Sequence, residues 1–245
     1  MKKITTMILA LTVVMTLTQC KKKNDDGENT DGTKVKVTCT VPMNNGGKSE
    51  FDNPITDGTI QWSEGTERIY LAIPEAQQIV ELVSDVHQGS VDVLTFTGTV
   101  GENVLNGGTY EIWYFGKQEP NVSETDGVIN SISGSIAAQT GNLSDLGYYH
   151  IAKATVTAET NGEEVVLSLD GVLETQIAIA YLDLSDITKL EGDAIVGTDY
   201  TLQYNEDEFV FSVVESNTAN INVTDGTGTS YVVLFPNNKY NVYLV

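Results

Sequence analysis

The chain's imidazoles are His87 and His150, and its thiols are Cys20 and Cys39. Histidine is the usual acid–base group because its proton exchanges near physiological pH. His87 stands before the Gln88-Gly89 turn, where a lone imidazole is expected to be solvated. His150 falls on the alternating stretch Tyr149 to Val156, which suits a surface or hydrogen-bonded role better than metal ligation. Nucleophilic catalysis would need a glycine-flanked serine elbow or a thiol beside a base, and the sequence has neither. The zinc-protease pattern HExxH is also missing. Cys39 lies in Val35-Lys36-Val37-Thr38-Cys39-Thr40-Val41, on one strand face with Val35, Val37 and Val41, so it reads as a small buried hydrophobe. Asp and Glu number 34, which leaves a glycosidase pair compatible with composition, yet no spacing couples any two of them. Asp25, Asp26, Glu28 and Asp31 are crowded but lack the calcium-loop pattern, and the Asp-Gly pairs elsewhere are turn chemistry. No catalytic residue, metal ligand or cofactor site is assigned, and an enzyme is the lowest-ranked reading.

Aromatic side chains offer the other chemistry, since their faces stack on sugars. Trp113 alternates with Glu111 and Phe115, while Tyr110, Ile112 and Tyr114 take the opposite face. A strand apolar on both sides belongs in a core or at an interface. Trp62, ahead of a polar turn, reads as a core residue.

These residues must be positioned by strands. Short β-rich runs separated by turns occupy nearly all of the chain, and helical periodicity is almost absent. Strands are predicted at Val35 to Val41, Arg68 to Ile73, Val91 to Thr97, Thr109 to Phe115, Ile151 to Ala158, Glu164 to Leu169 and Thr175 to Leu182. Others are predicted at Asp199 to Tyr204, Glu208 to Val214, Ile221 to Val223, Ser230 to Phe235 and Tyr240 to Val245. The last is expected to pair with Ser230 to Phe235 across Pro236-Asn237-Asn238, leaving no strand to donate. One weak helical turn is predicted near Ser185 to Leu190. The polar stretch Lys117 to Gly127 divides the series into halves that each suit one sandwich. The expected fold is all-β, with two tandem antiparallel β-sandwich domains at 34–126 and 127–245.

The start of the chain reads differently. Met1-Lys2-Lys3, then an apolar run from Ile4 to Thr18, describe an export signal too short to span a bilayer comfortably. Leu17-Thr18-Gln19-Cys20 resembles a bacterial lipobox, although Gln19 stands where such boxes usually carry Gly, Ala or Ser. Cys20 is therefore the expected lipidation site; the alternative is a plain secretory signal with an incidental cysteine. Cleavage before Cys20 removes residues 1–19 of 245, and the loss of Lys2 and Lys3 moves the formal charge from −21 to −23. A surface so acidic repels nucleic acid. If Cys20 carries lipid, Cys39 has no disulfide partner. Residues 20–33, from Lys21-Lys22-Lys23 to Gly32, contain too little apolar surface to order themselves and are expected to form a flexible tether. Their basic-to-acidic step resembles the surface-export tag of Bacteroidetes lipoproteins, and an ordinary solvated spacer has the same composition.

Ile60-Gln61-Trp62-Ser63-Glu64-Gly65, followed by Arg68-Ile69-Tyr70-Leu71, is similar to the tryptophan-glycine motif and strand that open fimbrillin-like proteins; Thr66 stands where an aspartate often follows the glycine. Phe96-Thr97-Gly98-Thr99-Val100 and Gly108 to Tyr114 look like later strands of that domain. Gln139 to Leu146 before Tyr148-Tyr149, and Ser230 to Pro236, resemble the second. The resemblance implies a fimbrial or fimbrillin-like lipoprotein of the Bacteroidetes outer membrane, exposed at the cell surface. Its expected partners are other fimbrial subunits or host and bacterial surface ligands, met without catalysis. It also implies strand exchange by β-augmentation, opened by proteolysis in the loop behind the first strand. That loop, Pro42 to Glu50, has Lys48 but no arginine, so an anchor or terminal subunit is expected. The alternative is a non-polymerising surface lipoprotein that holds glycan or protein ligands in its loops.

Overall fold

The computed structural model describes residues 35–42, 62, 64–89, 91–101, 104–105, 107–139, 141, 143–161, 163–183, 190–191, 195–217, 220–221, 229–236 and 243–244. Cys20, the export signal, the tether and the loop behind Pro42 lie outside them, as does most of the helical turn expected near Ser185. The chain runs β1 (Val35–Pro42), β2 (Arg68–Ile73), β3 (Gln78–Ser84), β4 (Val93–Val100) and β5 (Thr109–Tyr114). It continues with β6 (Asn121–Thr125), β7 (Val128–Ser135), a short helix α1 (Leu143–Tyr148), β8 (Ala152–Asn161), β9 (Glu164–Leu169) and β10 (Glu174–Thr175). Next come β11 (Ala178–Asp183), β12 (Leu190–Glu191), β13 (Ile195–Asn205), β14 (Glu208–Asn217), β15 (Asn220–Ile221), β16 (Thr229–Leu234) and β17 (Tyr243–Leu244). The all-β expectation holds.

Local chemistry sets several of the turns. After β2, Pro74-Glu75-Ala76 forms a single 3-10 turn and Gln77 takes the left-handed conformation at φ 53°, which returns the chain antiparallel as β3. Between β6 and β7, Asp126 and Gly127 both have positive φ, 54° and 79°. That is the mirror-image turn whose twist matches a two-residue hairpin.

Seven strands close on themselves in the order β3-β2-β5-β8-β9-β1-β4, with β4 returning to β3 through Val83↔Thr97 and Ser84↔Phe96. Every seam is antiparallel except β1 on β9, which is parallel from Lys36↔Glu164 to Cys39↔Leu167. Closure removes the free edges that a flat sheet would expose. Its interior is apolar: Cys39, Val41, Ile69, Leu71, Ile73, Leu82, Phe96, Ile112 and Val156 are buried there with Trp62.

A second core lies on the outer side of the same wall. The strands β2 and β5 alternate between the two: Ile69, Leu71 and Ile73 face the barrel interior and Tyr70 and Ala72 face away; Tyr110, Ile112 and Tyr114 face in and Trp113 and Phe115 out. The outward set packs with Ile132 of β7, Tyr200 and Leu202 of β13, Phe209 of β14, Leu146 of α1, and Tyr231 and Val233 of β16. Phe115 and Tyr200 stack at 5.3 Å and Trp113 and Phe211 at 5.0 Å. The two-faced apolar reading of the Trp113 strand thus finds its cause in a wall shared by two cores.

This ladder does not separate at residue 126. Strands β8 and β9, from beyond that point, complete the barrel begun by β1 to β5, and Thr33–Val245 forms one compact unit. The polar stretch read as a linker contains β6 and the Asp126-Gly127 turn; β6 is exposed along its length, which is why its sequence reads as a spacer. Two further pairings differ from expectation. The strand β16 pairs with β11, and β17 pairs with β12. α1, β3, β6 and β7 have no counterpart among the expected elements.

β1 is bonded along both edges. Eight residue pairs join it to β4, from Val35↔Val100 to Pro42↔Val93, while β9 holds the other side. Thr38 donates to Glu164 Oε1 at 2.9 Å and the Lys36 ammonium lies 3.2 Å from the same oxygen. These contacts, the Thr38 hydroxyl first, hold the Glu164 carboxyl below its ordinary range. A lowered folded-state pKa stabilises above the unfolded value, and that contribution is lost as pH falls through the lowered one.

Cys39 is fully buried, and burial pushes its thiol up to about 12. Only the thiolate attacks labelling reagents. Cys39 should therefore react with a maleimide or disulfide probe far more slowly in the folded protein than in denaturant, as stopped aliquots analysed by mass spectrometry would show. Fast labelling without denaturant would mean that β1 leaves the barrel readily.

Candidate binding site

The start of β2, the end of β3, the end of β5 and the start of β8 meet at one end of the barrel, as their registers require. Four connections converge there. The segment before β2 is tied to the one after β3: Glu67 donates its N–H to Ser84 Oγ at 3.0 Å, Ser84 N–H returns to the Glu67 carbonyl at 3.0 Å, and Gly65 and His87 exchange backbone bonds at 3.1 Å. The segment after β5 is tied to the end of α1 through Gln118 N–H and the Tyr148 carbonyl at 3.3 Å. Gly116 makes that approach possible. Its φ is +66°, and an added Cβ would lie 2.8 Å from the Gly147 carbonyl oxygen and 2.9 Å from the His150 nitrogen.

Glu67 is the polar centre of this end. Only 3% of it is exposed, and its Oε2 accepts the Tyr114 hydroxyl at 3.1 Å. Burial and then the carboxylate raise the Tyr114 pKa well above the ordinary phenol range, so Tyr114 stays a donor. The Tyr114 ring stands edge-on to His150 at 5.9 Å. His150 is buried with Nε2 3.2 Å from Thr175 Oγ1, matching the hydrogen-bonded expectation, although it precedes β8 rather than lying on it. His87 is not solvated as expected: both ring nitrogens are buried without a described partner. Its backbone is bridged to Gly65.

Beside Glu67 opens a cleft of about 290 Å³ lined by Glu64, Gly65, Thr66, Glu67, Arg68, Tyr70, Gly116, Lys117 and Gln118. The Arg68 guanidinium is engaged by Glu81 at 2.9 Å. The Gln118 side-chain amide nitrogen is buried and meets no acceptor among the described residues. Sequence reading missed Glu67 and Gln118, because each sits in a polar run that looks like ordinary solvated loop. The one available signal was Gly65 and Gly116, glycines with φ of 125° and 66° that bend the two loops toward each other.

The tryptophan of the opening motif serves the barrel. Trp62 is fully buried, bridges Val91, packs edge-on against Phe96 at 5.3 Å and Tyr114 at 5.2 Å, and donates its indole N–H to the Val41 carbonyl at 3.2 Å. Among the described residues, no His, Cys, Asp and Glu side chains group as a metal site.

No family model matches the chain. No curated protein is significantly similar to it. Among solved structures, it is similar to a Bacteroides ovatus ATCC 8483 protein assigned provisionally to cell adhesion. The identity is 10%, the match covers 86% of this chain and 85% of that one, and the TM-score is 0.41.

Proposed function

We propose that this chain is a surface-anchored, fimbrillin-like protein that works by non-catalytic binding, held in the outer membrane through lipid on Cys20 and placed at an anchoring or terminal position. The observation that carries the reading is β1, bonded on both edges within a closed ring. Strand exchange needs an acceptor groove, which here is filled by the chain's own strand. A subunit whose groove is filled cannot extend a head-to-tail polymer. The sequence places the tether and the lipobox-like segment directly ahead of this strand, so the anchor and the barrel stay covalently joined. Arg68, the chain's one arginine, lies in β2 between β3 and β5, where an arginine-specific protease cannot seat an extended backbone.

Anchoring is tested by replacing Cys20 with alanine in the native host. The variant should leave the membrane fraction almost entirely and the wild type should be removed by protease shaving of intact cells. Unchanged retention of the variant would refute the lipid anchor. The runner-up, a ligand-binding lipoprotein without fimbrial partners, draws support from the cleft beside Glu67.

A further inference from the structure

We infer that the free edge of β14 pairs with the β14 of a second copy of this chain, joining two molecules in a closed antiparallel dimer. The layer outside the barrel runs β6-β7-β13-β14, and among the described residues β14 pairs only with β13. In an antiparallel ladder alternate residues turn their N–H and C=O toward the partner, so every second residue of β14 offers both groups to the open side. Natural edges are blunted by charge, proline, brevity or a bulge. β6, at the far side of the layer, shows three of these devices: it is five residues long, carries Glu124 and meets β7 through a register shift at Ser123/Glu124. β14 has ten residues, and its run Phe209-Val210-Phe211-Ser212-Val213-Val214 holds no charge, proline or glycine. The register shift at Gly197/Asp199 lies past this run. A strand left so unguarded is an interface or an aggregation hazard.

The run is complementary to itself. Phe209, Phe211 and Val213 face the second core, while Ser212 and Val214 are exposed on the other side, with Val214 50% accessible. Paired residues share a face of the sheet, so a two-fold register must centre on one residue. Centred on Ser212, the register sets Val210 against Val214, Phe211 against Val213 and Ser212 against its own copy, with no charge opposite another. Centred on Phe211, it would set Val210 against Ser212 and Glu208 against Val214, matching apolar groups with polar ones. The whole chain carries a formal charge of −21, so two copies repel over most of their surfaces and approach at least cost along an uncharged edge. Room is present at the start of the strand, where a crevice of about 260 Å³ separates Glu208 and Phe209 from Thr109, Glu111 and Thr155 of the barrel wall. A two-fold contact uses the same edge on both molecules, so it closes at two copies and builds no fibre.

The test uses the mature protein with Cys20→Ala, which leaves Cys39 as its thiol. Sedimentation velocity over a wide concentration range should show monomer passing to dimer and no further, with tighter association at higher salt as charge repulsion is screened. Ser212→Glu sets two carboxylates opposite each other on the axis and should weaken the dimer about fivefold at low salt, while barely moving the unfolding temperature. Ser123→Glu adds the same charge at the β6 edge and should weaken it distinctly less. Under mild oxidation Ser212→Cys should give a covalent dimer and Ser123→Cys should not. A monomer at every concentration, growth beyond two copies, equal weakening by the two glutamate variants, or a dimer that Ser212→Cys fails to cross-link would each overturn the proposal. Anchoring is read by fractionation, so failure here leaves that reading standing.

Discussion

Replacing Trp62 by alanine should lower the unfolding free energy by about 3–5 kcal/mol, the range for deleting a large buried aromatic side chain. For a domain of this size each kcal/mol shifts the melting temperature by about 2–4 °C, so a fall of the order of 10 °C is expected. The loss has two sources. One is the void left among Phe96 and Tyr114, whose rings meet the indole edge-on. The other is the Val41 carbonyl at the end of β1, which loses the indole donor inside the barrel. Trp62→Phe separates them, because it fills much of the void and removes the donor, and it should cost distinctly less. Hydrogen exchange gives the position of the damage: amides of β1 should open more readily in Trp62→Ala, beyond the general loss of stability. A variant as stable as wild type, or one whose β1 amides stay protected, would show that Trp62 does not clamp this strand.

The second large effect is expected at the closing seam. Gly98 of β4 lies opposite Val37 of β1 and beside β3. An added Cβ there would press on Leu82 Cδ2 and lie 2.8 Å from the Glu81 carbonyl oxygen. Leu82 is fully buried and Glu81 contributes backbone, so neither can swing away. Gly98→Val should therefore force β3 and β4 apart and cost at least about 1–3 kcal/mol as overpacking, with more if the seam opens. Chemical denaturation should show a lower midpoint and dye binding should report exposed apolar surface. A midpoint equal to that of wild type would mean that β3 and β4 do not close the ring as described.

Much of the strand inventory was legible because alternation is local. Arg68–Ile73 and Glu164–Leu169 match their predicted bounds, and in β1 exposed Lys36 and Thr40 alternate with buried Cys39 and Val41. What the sequence concealed was non-local. No residue pattern states that β9 will lie parallel to β1, about 125 positions away. A sequence reader therefore closes each half on itself and draws a boundary through the polar stretch near Asp126. That stretch forms a hairpin strand whose side chains all face solvent, so burial leaves no trace in its composition. β3 was missed for a related reason: Gln78-Ile79-Val80-Glu81-Leu82-Val83-Ser84 mixes charge into its alternation because its residues serve two cores and a surface. The candidate site was less legible still. Glu67 and Gln118 are ordinary loop residues in sequence, and only the approach of two loops across the barrel end gives either a role.

On the function proposed above, the mature protein keeps β1 and stays joined to the membrane through the segment ahead of it. The most direct measurement is the intact mass and N-terminal sequence of the protein isolated from the outer membrane of its native host, with its polymer state read on the same sample. The expected chain begins at a lipid-modified Cys20, retains Val35 to Val41, and runs as a single species without a ladder. A chain that begins at Ser49 or nearby, lacking β1 and forming ladders of polymers, would contradict it and identify a stalk subunit matured by cleavage after Lys48.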